Sequence, residues 1–139
     1  MMRMARNNDM EAVWELMQQL STHEFTKEQF VNCYSYNLDK GRILVYEKNN
    51  IVSGCIVLVI HYPLHFSCKT AEIVNFVVDQ NARNQGIGKQ MLAELEKIAA
   101  INECVMIEVA SGKQREGAHR FYVREGYACT HYKFTKELL

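Results

Sequence analysis

NARNQGIGKQM, residues 81–91, follows an apolar run, TAEIVNFVV at 70–78, and leads into a helical stripe of Ile87, Met91, Leu95 and Ile98. A strand, a glycine turn and a helix in that order form a physical device. The helix start presents unpaired backbone N–H groups and the positive end of its dipole. Glycine lets the backbone approach an anion with no Cβ in the way. Gly86 and Gly88 suit that purpose, and Arg83 and Lys89 add charge. Taken alone, the turn reads equally as an anion cradle and as a tight strand-to-helix connection.

Two familiar glycine loops are excluded. A nucleotide-triphosphate P-loop needs a glycine five residues before its Gly-Lys pair and a Ser or Thr after it. Here those positions hold Arg83 and Gln90. A dinucleotide fingerprint needs a third glycine, and position 91 is Met.

The totals narrow the class. A chain of 139 residues fits one domain, 1–139, and 48% hydrophobic residues suffice for a core. Sixteen basic and sixteen acidic side chains cancel, which argues against nucleic-acid or acidic-membrane partners. The longest apolar run, IVSGCIVLVI at 51–60, suits a buried strand and is too short to span a bilayer. The start, MMRMARNNDMEAVW, lacks the apolar middle of a signal peptide, so a soluble, cytoplasmic protein is expected. Cys33, Cys55, Cys68, Cys104 and Cys129 are odd in number and form no CxxC pair. They are expected as buried, reduced thiols.

Along the chain, Asn8-Asp9-Met10-Glu11 reads as a variant capping box, followed by a stripe of Met10, Val13, Met17 and Leu20. A second helix is predicted over Lys27 to Asp39, ended by Gly41. Arg42 to Glu47 reads as a strand, with Asn49-Asn50 as a tight turn into Ile51 to Ile60. That second strand is apolar on both faces, so it should lie centrally. HYPLHFSCK at 61–69 reads as a loop, CVMIEVA at 104–110 as a strand, and Arg115 to Glu125 as a helix stopped by Gly126. Tyr127 to Thr135 is predicted as a last strand. The alternation gives an α/β or α+β class around a mixed sheet.

Arg83-Asn84-Gln85-Gly86-Ile87-Gly88 fits the pattern R/Q-x-x-G-x-G/A and resembles the coenzyme A pyrophosphate loop of the GNAT N-acetyltransferase superfamily. AHRFYVREGY, 118–127, resembles that family's later signature, A-x-x-F-Y-x-x-x-G-F/Y. The order of elements is also similar across nearly the whole chain. The resemblance implies a mixed sheet flanked by about four helices and splayed into a V beside a bulged signature strand. It implies acetyl-CoA as acyl donor, with no metal. Backbone groups of Phe76, Val77 and Val78 should meet the pantetheine arm, like a strand added to the sheet. Gln85, Gly86, Ile87, Gly88 and Lys89 should hold the pyrophosphate through their N–H groups, with Arg83 and Asn84 beside it.

Acetyl transfer to an amine needs a neutral nucleophile, oxyanion stabilisation and a proton for the departing thiolate. The resemblance assigns that proton to Tyr122, which can also pack beneath the cofactor. Glu72, in Ala71-Glu72-Ile73-Val74, matches the general base of the histone-type branch; a solvated glutamate is the alternative. Ser111 stands where relatives touch the pantetheine, or serves as a turn residue. His61, Tyr62 and His65 border the acceptor cleft by the same resemblance. His61 and His65 are four apart, but no third metal ligand lies near them in the sequence. Direct attack on acetyl-CoA in a ternary complex is expected. A small-molecule amine is preferred to a protein acceptor, and a homodimer is compatible with the family. The alternatives are a protein or peptide acetyltransferase and a non-catalytic acyl-CoA-binding module.

Overall fold

The computed structural model describes residues 1–21 and 23–139. The chain resolves into two compact units, Met1–Glu108 and Val109–Leu139. Among the described residues, five strands form one sheet in the order β1-β2-β3-β4-β5. They are β1 Met2–Met4, β2 Ile43–Lys48, β3 Ile51–His61, β4 Thr70–Val78 and β5 Ile107–Val109. The helices are α1 Met10–Leu20, α2 Lys27–Asp39, α3 Ile87–Ile101 and α4 Glu116–Arg124. The expected mixed α/β class is what the chain forms. β1 to β4 pair antiparallel. Before β5, Val105 N–H donates to Lys69 O and Ala71 N–H to Met106 O. Residue numbers rise together across those two bonds, so this contact runs parallel.

Local chemistry explains the boundaries. α2 starts where Thr26 and Gln29 exchange side-chain-to-backbone bonds, a complete capping box. Asn49 and Asn50 sit at φ 53° and 63°, the paired left-handed geometry of a type I′ hairpin turn. β3 is central, as its two apolar faces require. One face packs under α1 and α2 through Cys55, Val57 and Val77 with Val13, Leu16, Phe30 and Tyr34. The alternate residues, Gly54, Ile56 and Leu58, form the opposite face, where a Cβ on Gly54 would stand 2.6 Å from Met91 Sδ of α3.

Several expectations need correction. β1 adds an edge strand that three residues of MRM do not announce. The Asn8-to-Glu11 box does not form at α1, and Asp9 takes another role. It closes a short 3₁₀ turn, Asn7–Asp9, and accepts from Arg6 N–H at 2.7 Å. β3 runs on to His61, so the loop begins at Tyr62. The predicted strand 104–110 contracts to Ile107–Val109. Among the described residues, 127–139 contains no strand. Its apolar positions shift phase, from Tyr127 and Cys129 to Tyr132 and Phe134, so no single face persists. All five cysteines are free, but only Cys55 is buried, while Cys33, Cys68 and Cys129 are exposed.

Candidate active site

The expected bulge lies in β4. Ile73 pairs with Leu58 and Asn75 with Val57, leaving Val74 as the extra residue. A bulge breaks the ladder and re-aims the side chains around it. Two residues before the bulge, Glu72 pairs with Val59.

β4 then turns into the glycine loop through a buttressed corner. Asp79 N–H donates to Ser53 O at 2.8 Å, and Ser53 is itself the extra residue of a bulge in β3 against β2. The Asp79 carboxylate accepts from Asn81 N–H at 3.2 Å and from Gln19 Nε2 at 2.7 Å. Gln19 Oε1 accepts Gln80 N–H at 2.9 Å. One amide on α1 thus holds the corner by both ends. No local signal announces this, because the partners are 60 and 61 residues apart. Replacing Gln19 with Ala removes two bonds worth about 1 kcal/mol each. Amide exchange at Gln80 is expected to quicken about tenfold or more, and unchanged protection would contradict the clamp.

Beyond the corner, Asn84 and Gly86 both adopt left-handed backbone, at φ 62° and 77°. Asn tolerates that region and Gly prefers it. Gly86 is the N-cap of α3 and makes no side-chain cap bond. The first N–H groups of α3 therefore keep their capacity for an anion. Ile87 is buried and anchors the turn, while Arg83, Asn84, Gln85, Gly86 and Lys89 are exposed and Gly88 is half-buried. This cradle fits a pyrophosphate. Arg83 Nε also donates back to Val78 O at 3.3 Å, a carbonyl expected at the pantetheine; a carbonyl has a second lone pair to offer. The Val77 side chain belongs to the core under α1, and Phe76 pairs with Ile56.

Glu72 is not a lone carboxylate. Its Oε1 lies 2.8 Å from His61 Nε2, with both side chains partly exposed. The strand extension that moves His61 out of the loop creates this pair, and it is visible only once the strand register is known. After His61, Tyr62, Leu64 and Phe66 expose apolar surface, and Tyr62 and Leu64 line a cavity of about 400 Å³ that reaches Lys69. Among the described residues, no three His, Cys, Asp or Glu side chains converge as metal ligands.

The second unit carries the other two candidates. Tyr122 on α4 packs between Phe121 and Tyr127, with ring centroids 5.4 and 5.7 Å away. Burial pushes its phenol pKa up, against the opposing charge of Arg115. The group is protonated at neutral pH, as an ordinary phenol is, and can donate. Ser111 Oγ is buried without a hydrogen-bond partner among the described residues. A buried hydroxyl left unpaired is costly, and a ligand amide would satisfy it, which fits the pantetheine contact expected there. His119, next to the Phe121-Tyr122 pair, bonds through Nε2 to Gly112 O at 2.8 Å.

Residues 10–127 match the model of the Acetyltransferase (GNAT) family. The chain is 33% identical over 139 residues to an aminoalkylphosphonate N-acetyltransferase of Salmonella typhimurium, covering 99% of this chain and 90% of that protein. Among solved structures, a transcriptional regulator from Bacillus halodurans superposes with a TM-score of 0.89 at 20% identity, covering 99% of both chains. AAC(6')-Iy, in complex with the bisubstrate analog CoA-S-monomethyl-acetylneamine, gives 0.84 at 12% identity, covering 100% of this chain and 97% of that one. At those identities the structures speak for the fold alone.

Proposed function

Because this chain belongs to the GNAT acetyltransferase family, an acetyl-CoA-using group, we propose that it acetylates the primary amine of a small aminoalkylphosphonate. The observation that carries the acceptor class is the 33% identity to the Salmonella enzyme along 99% of the chain. The family match crosses from the first compact unit into the second, so we read residues 1–139 as one functional domain.

In this reading the glycine turn holds the donor. Backbone N–H groups from Gln85 to Lys89 bind the pyrophosphate, with Arg83 and Asn84 beside it. Phe76, Val77 and Val78 offer main-chain partners to the pantetheine, and Ser111 supplies its hydroxyl. The amine attacks the thioester carbonyl directly, so its C–N bond forms as the C–S bond breaks. Tyr122, its phenol pKa raised by burial, gives its proton to the departing thiolate.

Thiol release from acetyl-CoA, with product masses, should be compared across an aminoalkylphosphonate, the matching aminoalkylcarboxylate, a polyamine, an aminoglycoside and a lysine peptide. The aminoalkylphosphonate is expected to give the highest kcat/KM. A higher value for the lysine peptide would overturn the acceptor assignment and favour a protein substrate.

A further inference from the structure

The geometry points to His61, oriented by Glu72, as the group that takes the proton from the acceptor ammonium. This rests on the acetyltransferase reading above and names the residue that prepares the nucleophile.

The placement comes from register. His61 pairs with Thr70 and Glu72 with Val59. The two are therefore diagonal neighbours on adjacent antiparallel strands, on one face, within reach of long side chains. Counting back along β3 from His61 through Val59 and Val57 to Cys55, this is the face covered by α1 and α2. Cover is complete at Cys55 and Val57, which are 0% and 6% exposed. It thins towards the strand end, where Val59, His61 and Glu72 are half-buried, while Thr70 opposite His61 stays buried. The bulge at Val74 lies between Glu72 and Asn75. The face that forms the core thus ends in a partly exposed His61–Glu72 pair beyond the bend in β4, beside the exposed loop that starts at Tyr62.

Chemistry then fixes the direction of the bond. A carboxylate only accepts, so at the 2.8 Å contact His61 Nε2 carries the proton and Glu72 Oε1 receives it. The other nitrogen, Nδ1, has no partner among the described residues. A neutral imidazole held as the Nε2–H tautomer presents Nδ1 as a proton acceptor, and the carboxylate stabilises the imidazolium that results. The amine arrives as R–NH₃⁺. It gives one proton to Nδ1, the freed lone pair forms the C–N bond, and the C–S bond breaks as the thiolate takes the Tyr122 proton; the second proton lost from nitrogen restores the Tyr122 hydroxyl by way of solvent, and the imidazolium returns its proton to solvent. Glu72 acts through His61 and is a positioning residue.

Three variants with calorimetric acetyl-CoA binding as control separate the roles. His61→Gln is expected to lower kcat about 100-fold or more while leaving acetyl-CoA affinity unchanged. Glu72→Gln should lose less, and the double variant should be no slower than His61→Gln. A larger loss in Glu72→Gln than in His61→Gln would make Glu72 the base and overturn the assignment. A His61→Gln enzyme as fast as wild type would reduce the pair to a surface contact, leaving the acetyltransferase reading intact. Wild-type protein that turns over no amine would overturn both. Nitrogen-15 NMR of the unsubstituted protein provides a readout independent of turnover. It should show neutral His61 protonated at Nε2, and a proton on Nδ1 would overturn the dyad.

Discussion

Replacing Tyr122 with Phe lowers kcat by about 100-fold or more and leaves acetyl-CoA affinity nearly unchanged. The ring, with its contacts to Phe121 and Tyr127, is retained in the variant, and only the hydroxyl is lost. A loss in kcat at constant affinity is the mark of an interaction made in the transition state. The pH dependence follows from the same burial. The phenol pKa is raised, so the acid form persists through and beyond the ordinary tyrosine range near pH 10. The wild-type rate should therefore show no descending limb from this residue at lower pH. Turnover in Tyr122→Phe equal to wild type would remove Tyr122 from the proton-donor role.

Replacing Asp9 with Asn destabilises the fold by about 3 kcal/mol or more. Asp9 is 6% exposed. It receives both guanidinium nitrogens of Arg3, at 2.8 and 2.9 Å, besides Arg6 N–H at 2.7 Å. Arg3 also binds Glu47 of β2 at 2.9 Å, and Tyr34 OH of α2 donates to Arg6 O at 2.6 Å. β1, the start of α1, β2 and α2 are thereby tied at one point. An asparagine here cannot replace the charge that Arg3 needs, so a half-buried cation loses its main partner and keeps only Glu47. The Arg3 guanidinium holds the Asp9 carboxyl below its usual pKa against the opposing effect of burial, with Arg6 N–H adding to the pull. A lowered folded pKa gives stability that is complete above the unfolded value, about 3.9, and is lost as pH falls through the folded value. Urea unfolding of wild type should show that acid limb below about pH 4, and Asp9→Asn should lack Asp9's share of it. Equal midpoints for the two proteins at pH 7 would contradict the tie.

What was legible in the chain was local. The Asn84-to-Gly88 turn and the Asn49-Asn50 hairpin each carry their cause within a few residues. The apolar run from Ile51 placed β3 at the centre because both of its faces needed cover. What was hidden depends on distant partners. β1 exists through pairing of Met2 with Tyr46, which MRM alone cannot reveal. Asn8 to Glu11 has the spacing of a capping box, and local spacing does not show Arg3 bridging Asp9 and Glu47. Gln19 had no signature at all. The loop expected from His61 onward begins one residue later, at Tyr62, and that residue changes the site. In the strand, His61 faces Glu72; in a loop, each would be a separate candidate. The bulge in β4 came only through family resemblance, since an extra residue in a strand leaves no mark on the apolar pattern. Tyr127 to Thr135 forms no strand because its apolar positions change phase partway.

Thiol release from acetyl-CoA, followed with and without a primary aminoalkylphosphonate, bears most directly on the central claim. Release that requires both the protein and the amine, with an N-acetylated product by mass, is the predicted result. Coenzyme A that binds while no amine of any class provokes release would contradict it and leave a binding module on the same fold.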